Sequence, residues 1–232
     1  MCTNYTPATP TQLMSLGDWS AGVLPEGHWP EETYPGYPAP IVVKGVASGS
    51  RAGSLGDIQL ARFGLIPRWC RDAPHAVKVG RGTYNARTET LTDKPSFCRP
   101  WLERRVALVP MQHYFEPCWE TGRSVRWRIA QAHGELLLAA ALHEHWTDPV
   151  TRERIQSFSL LTRNADEHPL LKRMHRPGDE KRQLCCVPQG EARGWLEACV
   201  DDSLDWLLQR NAPALTGVPA PLRENPQEVL PF

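Results

Sequence analysis

The cysteine that follows Met1 carries a latent chemistry of its own. Removal of Met1 leaves Cys2 with an α-amine and a thiol on adjacent carbons. Their reference pKa values are about 8 and about 8.5, so usable fractions of both nucleophiles exist near neutrality. An aldehyde meeting this pair forms an imine, which the sulfur closes into a five-membered thiazolidine. The same pair could serve an N-terminal-nucleophile hydrolase. Taken alone, Cys2 is equally well read as an incidental residue in a frayed terminus.

Further reactive types recur along the chain. In Tyr84-Asn85-Ala86-Arg87-Thr88-Glu89-Thr90, residues Asn85, Arg87 and Glu89 alternate along an extended segment and so share one face. Arg87 suits a phosphate or sugar and Asn85 suits orienting a reactive centre; an exposed strand with ordinary surface polarity is the competing reading. Glu116 ends an apolar, aromatic run that includes Tyr114 and Phe115, a setting that suits a carboxylate to moving protons. Its alternative is an ion pair with a nearby arginine. Trp69, Trp119 and Trp127 are interleaved with basic residues, as stacking of unpaired bases requires, although each could equally be core. His168 and His175 lie in a basic stretch, and either is placed to act as a base.

These side chains need a scaffold. Apolar or alternating runs of strand length cover 41–46, 58–65, 106–116, 125–132, 136–143, 155–162 and 183–187, each bounded by turn chemistry. Thr9 and Pro10 read as a helix start, and 190–210 as the best helix, with Trp195, Leu196, Cys199, Leu204, Leu207 and Leu208 near helical spacing. Residues 22–40 read as an irregular loop, and 211–232 as a proline-rich tail. The pattern is α+β without regular βαβ alternation.

Composition bounds the function. The 232 residues carry 26 Lys+Arg against 26 Asp+Glu, and 41% are hydrophobic, which excludes wholesale disorder. No apolar run reaches membrane-spanning length, and the first residues hold neither a basic nor an apolar leader segment, so the expectation is a soluble, cytoplasmic protein. Seven cysteines without paired spacing predict reduced thiols and no structural zinc. The charge is uneven: 60–130 hold 13 basic and 6 acidic side chains, enough for a basic face that attracts a polyanion.

In order along the chain, several of these features resemble the SRAP family, the SOS-response-associated peptidase or abasic-site-processing proteins. They are Met1-Cys2, the Asn85–Thr90 motif, the strand leading to Phe115-Glu116, a strand ending at Thr162, the Ala165-Asp166 turn and the His175 loop. The resemblance implies a single SRAP-like domain over 1–232, with the family-like part at 1–188 and a helix and tail at 189–232. It implies a strand-rich α+β fold whose barrel-like mixed β core is flanked by short helices. It further implies removal of Met1 and a covalent thiazolidine crosslink between Cys2 and the ring-opened aldehyde of an abasic site in single-stranded DNA, with associated lyase activity. By the same resemblance Asn85 positions the Cys2 end and the sugar, Glu116 transfers protons, and His175 promotes opening of the sugar, with His168 as the alternative. Arg68, Trp69, Arg87, Glu89 and Thr162 are the DNA-contacting set. Neither cofactor nor metal nor membrane is implied, and the expected state is a monomer associated with the nucleoid when bound to DNA. Thr3-Asn4 stand where the family commonly has Gly-Arg, and 176–182 reads as a local insertion after His175. The rival readings are a Cys2-dependent thiol (auto)peptidase and a noncovalent binder of single-stranded or modified DNA.

Overall fold

Near-continuous apolar runs such as 106–111 and 137–142 require strands buried on both faces. The chain meets that requirement by closing its sheet on itself. The computed structural model describes residues 2–16, 24–45, 56–197, 200–209 and 212–222. Met1, 22–23, Val46, Cys199, 210–211 and 223–232, which the sequence reading touched, lie outside the described residues.

The elements are β1 (Tyr5–Pro7), α1 (Pro10–Ser15), β2 (Pro38–Val43), β3 (Asp57–Phe63), α2 (Ala73–Gly80), β4 (Asn85–Arg87), α3 (Cys98–Leu102), β5 (Val106–Cys118), β6 (Val125–Gln131), β7 (Leu137–Thr147), β8 (Arg154–Asn164), β9 (Arg182–Leu184), β10 (Cys186–Val187), α4 (Ala192–Glu197), α5 (Val200–Gln209) and β11 (Leu215–Pro219). Strands β7, β8, β3, β2 and β5 are neighbours in that order, and β5 pairs back onto β7, closing a five-stranded barrel. The β3–β8 pairing is parallel and the other four are antiparallel, so the barrel is mixed. Around it, β1 and β6 lie on β5, β4 and β9 on β8, β10 on β7, and β11 on β6.

Alternation decides which side chains fill the lumen. Ile41, Phe63, Val109, Ala141 and Phe158, one from each barrel strand, belong to one buried cluster. Small and large residues share that space: Ala139 and Ala141 leave room for Phe63 and Phe158, stacked with ring centroids 5.2 Å apart. The alternate residues Val42, Leu108, Leu138, Ala140 and Leu161 face outward into a second cluster with Trp101 of α3 and Trp195 of α4. Trp195 is fully buried, and its Nε1 donates to Ala107 O at 2.9 Å.

Thr9 caps α1 as its sequence predicts, in a capping box in which Gln12 returns the bond to the Thr9 backbone. Three expectations need correction. The 183–187 run is two strands, because Cys185 donates to Leu161 O on β8 and accepts from Ala140 N on β7, passing the chain from one neighbour to the other. The single helix over 190–210 is a 3-10 turn (Gln189–Glu191) followed by α4 and α5. Trp195 and Trp206 stack at 6.3 Å, whereas eleven residues of straight helix would set them about 16 Å apart along the axis. The proline-rich tail contributes β11, paired with β6 from Leu215↔Gln131 to Pro219↔Trp127.

Candidate active site

The short strand β1 brings Cys2 into the molecule. Tyr5 pairs with Tyr114 and Thr6 with His113, while Phe115 N donates to Asn4 O at 3.0 Å. On its other edge Tyr5 exchanges two backbone hydrogen bonds with Thr33. Held from both sides, Cys2 is 1% exposed and packs in the lumen cluster. Asn85 Nδ2 donates to Cys2 O at 2.8 Å, reaching from β4, which is fixed on β8 by the parallel pairs Asn85↔Leu160 and Arg87↔Thr162. The Oδ1 of the same Asn85 is buried without a hydrogen-bond partner among the described residues. Cys2 Sγ itself makes only a long contact, 3.6 Å, to Asn4 O.

Glu116 and His175 form the second half of the site. His175 has φ of 64°, a left-handed conformation uncommon outside glycine, asparagine and aspartate. It is held there by its N–H bond to Pro117 O at 2.7 Å and by the adjacent Cys118↔Met174 bridge. That conformation places His175 Nε2 3.0 Å from Glu116 Oε2, with the two residues 8% and 3% exposed. The alternative, His168, is spoken for locally: its Nδ1 accepts the backbone N–H groups of Leu170 and Leu171, both at 3.1 Å.

Electrostatics ties the halves together. Burial pushes the Cys2 thiol well above its ordinary range, and the charge of Glu116 adds to the rise. Tyr5 and Tyr114 are raised well above theirs by burial, with further contributions that include Cys2 for both. Sequence reasoning missed these two phenols because each sits in an apolar run and reads as core. Cys186 of β10 also acts on Cys2 and Tyr114, and only its strand pairing brings it there.

The remaining sequence-predicted residues fall into two clefts. Asn85 and Arg87 line one of about 330 Å³, together with Thr90, Lys94 and Phe97. Arg68 and Trp69 line one of about 170 Å³ with Arg99; the clefts share Pro95 and Ser96. Trp69 is 50% exposed, whereas Arg68 is anchored on the buried Glu144 at 3.0 Å. Trp119 and Trp127 lie under Arg176 and Arg173 instead, with the guanidinium carbons 5.9 and 4.9 Å from the ring centroids. The expected one-face alternation holds for Asn85 and Arg87 but ends there. At Thr88–Thr90 the chain turns into a 3-10 helix, and Glu89 instead binds Arg182 through two bonds of 2.9 Å. Thr162 is 1% exposed: its hydroxyl donates to Ala86 O, and its carbonyl accepts from Arg182. It braces β4 against β8 from beneath the surface rather than from a solvent-facing position. Arg182, 2% exposed, escaped the sequence reading, and its sole signal is a charge at the head of an apolar strand. Among the described residues no helix is long and apolar enough to cross a membrane.

A buried cysteine at the head of a mixed barrel, facing a Glu–His pair, is the setting in which the family assignment falls. The chain belongs to the SOS response associated peptidase (SRAP) family, whose model matches residues 1–219. It is similar to the abasic site processing protein YoqW of Bacillus subtilis (strain 168), 34% identical over 134 residues, 54% of this chain and 52% of that protein. It is also similar to the abasic site processing protein YMR114C of Saccharomyces cerevisiae, 28% identical over 152 residues, 64% of this chain and 36% of that protein. The matched part thus spans about half, or less, of the length of these relatives. A crystal structure of a Bordetella bronchiseptica protein matches with a TM-score of 0.81 at 26% identity, covering 95% of this chain and all of the other. One from Bacteroides thetaiotaomicron shares the fold, with a TM-score of 0.73 at 20% identity over 93% of this chain and 90% of that one.

Proposed function

We propose that this chain processes abasic sites in DNA, binding single-stranded DNA and trapping the lesion on Cys2 after Met1 is removed. The observation that carries the reading is the Glu116–His175 pair at 3.0 Å beside a buried Cys2 whose carbonyl is gripped by Asn85. The family match and the names of its relatives support the substrate class.

In this reading the freed Cys2 amine adds to the aldehyde carbon of the ring-opened sugar, and water leaves to give an imine. The thiol sulfur then bonds to that carbon, and its proton passes to the imine nitrogen, completing a thiazolidine. A buried thiol held above its ordinary range stays protonated near neutrality, so sulfur attack needs a base. Glu116 is the adjacent carboxylate and takes that role. His175, hydrogen-bonded to Glu116, serves proton transfer to and from the sugar oxygen as the ring opens. Asn85 Oδ1, left without a partner, accepts the amine N–H once it exists. Arg87 holds a flanking phosphate, and Trp69 offers a face for a base along the joined clefts.

The test is incubation of purified protein with a single-stranded oligonucleotide carrying one abasic site, followed by a denaturing gel and intact-mass analysis. The expected product is a heat-stable 1:1 adduct lacking Met1, absent with Cys2→Ala and absent on undamaged DNA. An adduct that survives Cys2→Ala, or none with wild type lacking Met1, overturns the covalent reading.

A further inference from the structure

Arg87 is not waiting open for a phosphate. Its NH1 lies 2.7 Å from Glu180 Oε2, and the other oxygen of Glu180 lies 2.7 Å from Arg182 NH1. The two arginines are not equally in need of that carboxylate. Arg182 is 2% exposed and already bound by both oxygens of Glu89 and by Thr162 O, whereas Glu180 is the one ion-pair partner printed by the geometry for Arg87. Glu180 belongs to the 176–182 segment that follows His175. A turn from Arg176 O to Asp179 N and bonds from Lys181 Nζ to the carbonyls of His175 and Arg176 shape that segment. Arg87 itself lines the cleft that contains Asn85, so the pair stands at the approach to Cys2.

A carboxylate and a phosphate are competing acceptors for one guanidinium fork. We propose that Glu180 occupies the phosphate position on Arg87 and must be displaced when a strand binds, which makes it a determinant of DNA affinity. The inference rests on the reading that single-stranded DNA contacts Arg87. Its consequence is discrimination: an undamaged strand, which gains no bond at Cys2, is held weakly, while an abasic strand is retained covalently. The pair is half-exposed, so its strength is modest and exchangeable.

The experiment measures the Kd of an undamaged single-stranded oligonucleotide across a salt series for wild type, Glu180→Gln, Arg87→Ala and the double variant. Glu180→Gln keeps an acceptor for Arg182 and should tighten binding by about three- to tenfold at low salt. The slope of log Kd against log salt should steepen by about 0.7, as for one more phosphate contact on a single strand. Glu180→Ala should give the same gain without relying on the amide. In the Arg87→Ala background the gain should vanish. No gain in either single variant overturns the proposal, as does a gain that persists without Arg87, which reports only relief of general repulsion. Wild type that binds no single strand at any salt defeats the underlying reading instead, a result distinct from both.

Discussion

Burial fixes the state in which Cys2 waits. Its thiol is raised first by loss of water and then by the Glu116 charge, so the carboxylate that serves as base also keeps the sulfur protonated until it acts. Glu116→Gln separates these effects, because it removes the base and the repulsion together. At pH 7 adduct formation should slow by about a hundredfold. The rate should then climb more steeply with pH than in wild type, because the thiol ionises more readily once the charge is gone. A stopped-assay pH profile on the abasic oligonucleotide reads both effects; a variant as fast as wild type at pH 7 would remove Glu116 from proton transfer. Cys2, Asn85, Glu116 and His175 were legible in the sequence because each polar or nucleophilic type stands out in its local run. Tyr5, Tyr114 and Arg182 were not, since a buried phenol looks like core and a strand-head arginine looks like surface until pairing places them.

Strands with strong apolar patterning announced themselves, and the barrel strands β2, β3, β5, β7 and β8 fall where the runs predict to within a few residues at their ends. The three-residue β1, β4 and β9 are too short to carry a period, and they owe their existence to neighbours already in place. They are also the elements that position Cys2, Asn85 and Arg182, so the site depends on the part of the fold that is least local. Gly64 shows how tightly one such connection is made. It follows β3 with φ of 110°, and a Cβ there would meet Gly80 O, at the end of α2, at 2.3 Å. Gly64 N also donates to Phe158 O at 2.9 Å, and the next residue, Leu65, bonds to Thr83 just ahead of β4. Gly64→Ala therefore combines a disfavoured backbone with a backbone clash that no side chain can relieve, and should cost about 3 kcal/mol or more. Urea unfolding measures the loss, and the adduct rate should fall with it as Asn85 shifts. A midpoint equal to wild type would mean that the β3–α2 approach is looser than the geometry requires.

Across the whole molecule 26 basic and 26 acidic side chains cancel, so global repulsion contributes little near neutrality and specific buried groups govern the response to pH. Burial lowers His143 from 6.5 to about 3, with His145 and Arg105 adding to the effect. Burial and then Arg154 lower His145 to about 4. As pH drops below 6.5 the unfolded chain takes up these protons while the folded chain refuses them. Their stabilisation is therefore complete above 6.5 and is lost as pH falls through 4 toward 3. The thiols act in the opposite sense. Burial raises Cys70 to about 11 and Cys185 and Cys186 to about 12 from 9.0, so above pH 9 the unfolded chain ionises first and stability falls as pH climbs toward 11 or 12. Stability should then peak between about pH 6.5 and 9. Thermal melts in reductant should place Tm at pH 4 about 5 °C or more below that at pH 7, with a second decline above pH 9. His143→Leu removes the most strongly shifted imidazole and should flatten the acid limb while leaving the alkaline one unchanged. A Tm that stays level between pH 4 and pH 7 in wild type would mean that His143 and His145 take up protons without opening the fold, and the barrel end that holds them would then be hydrated rather than packed.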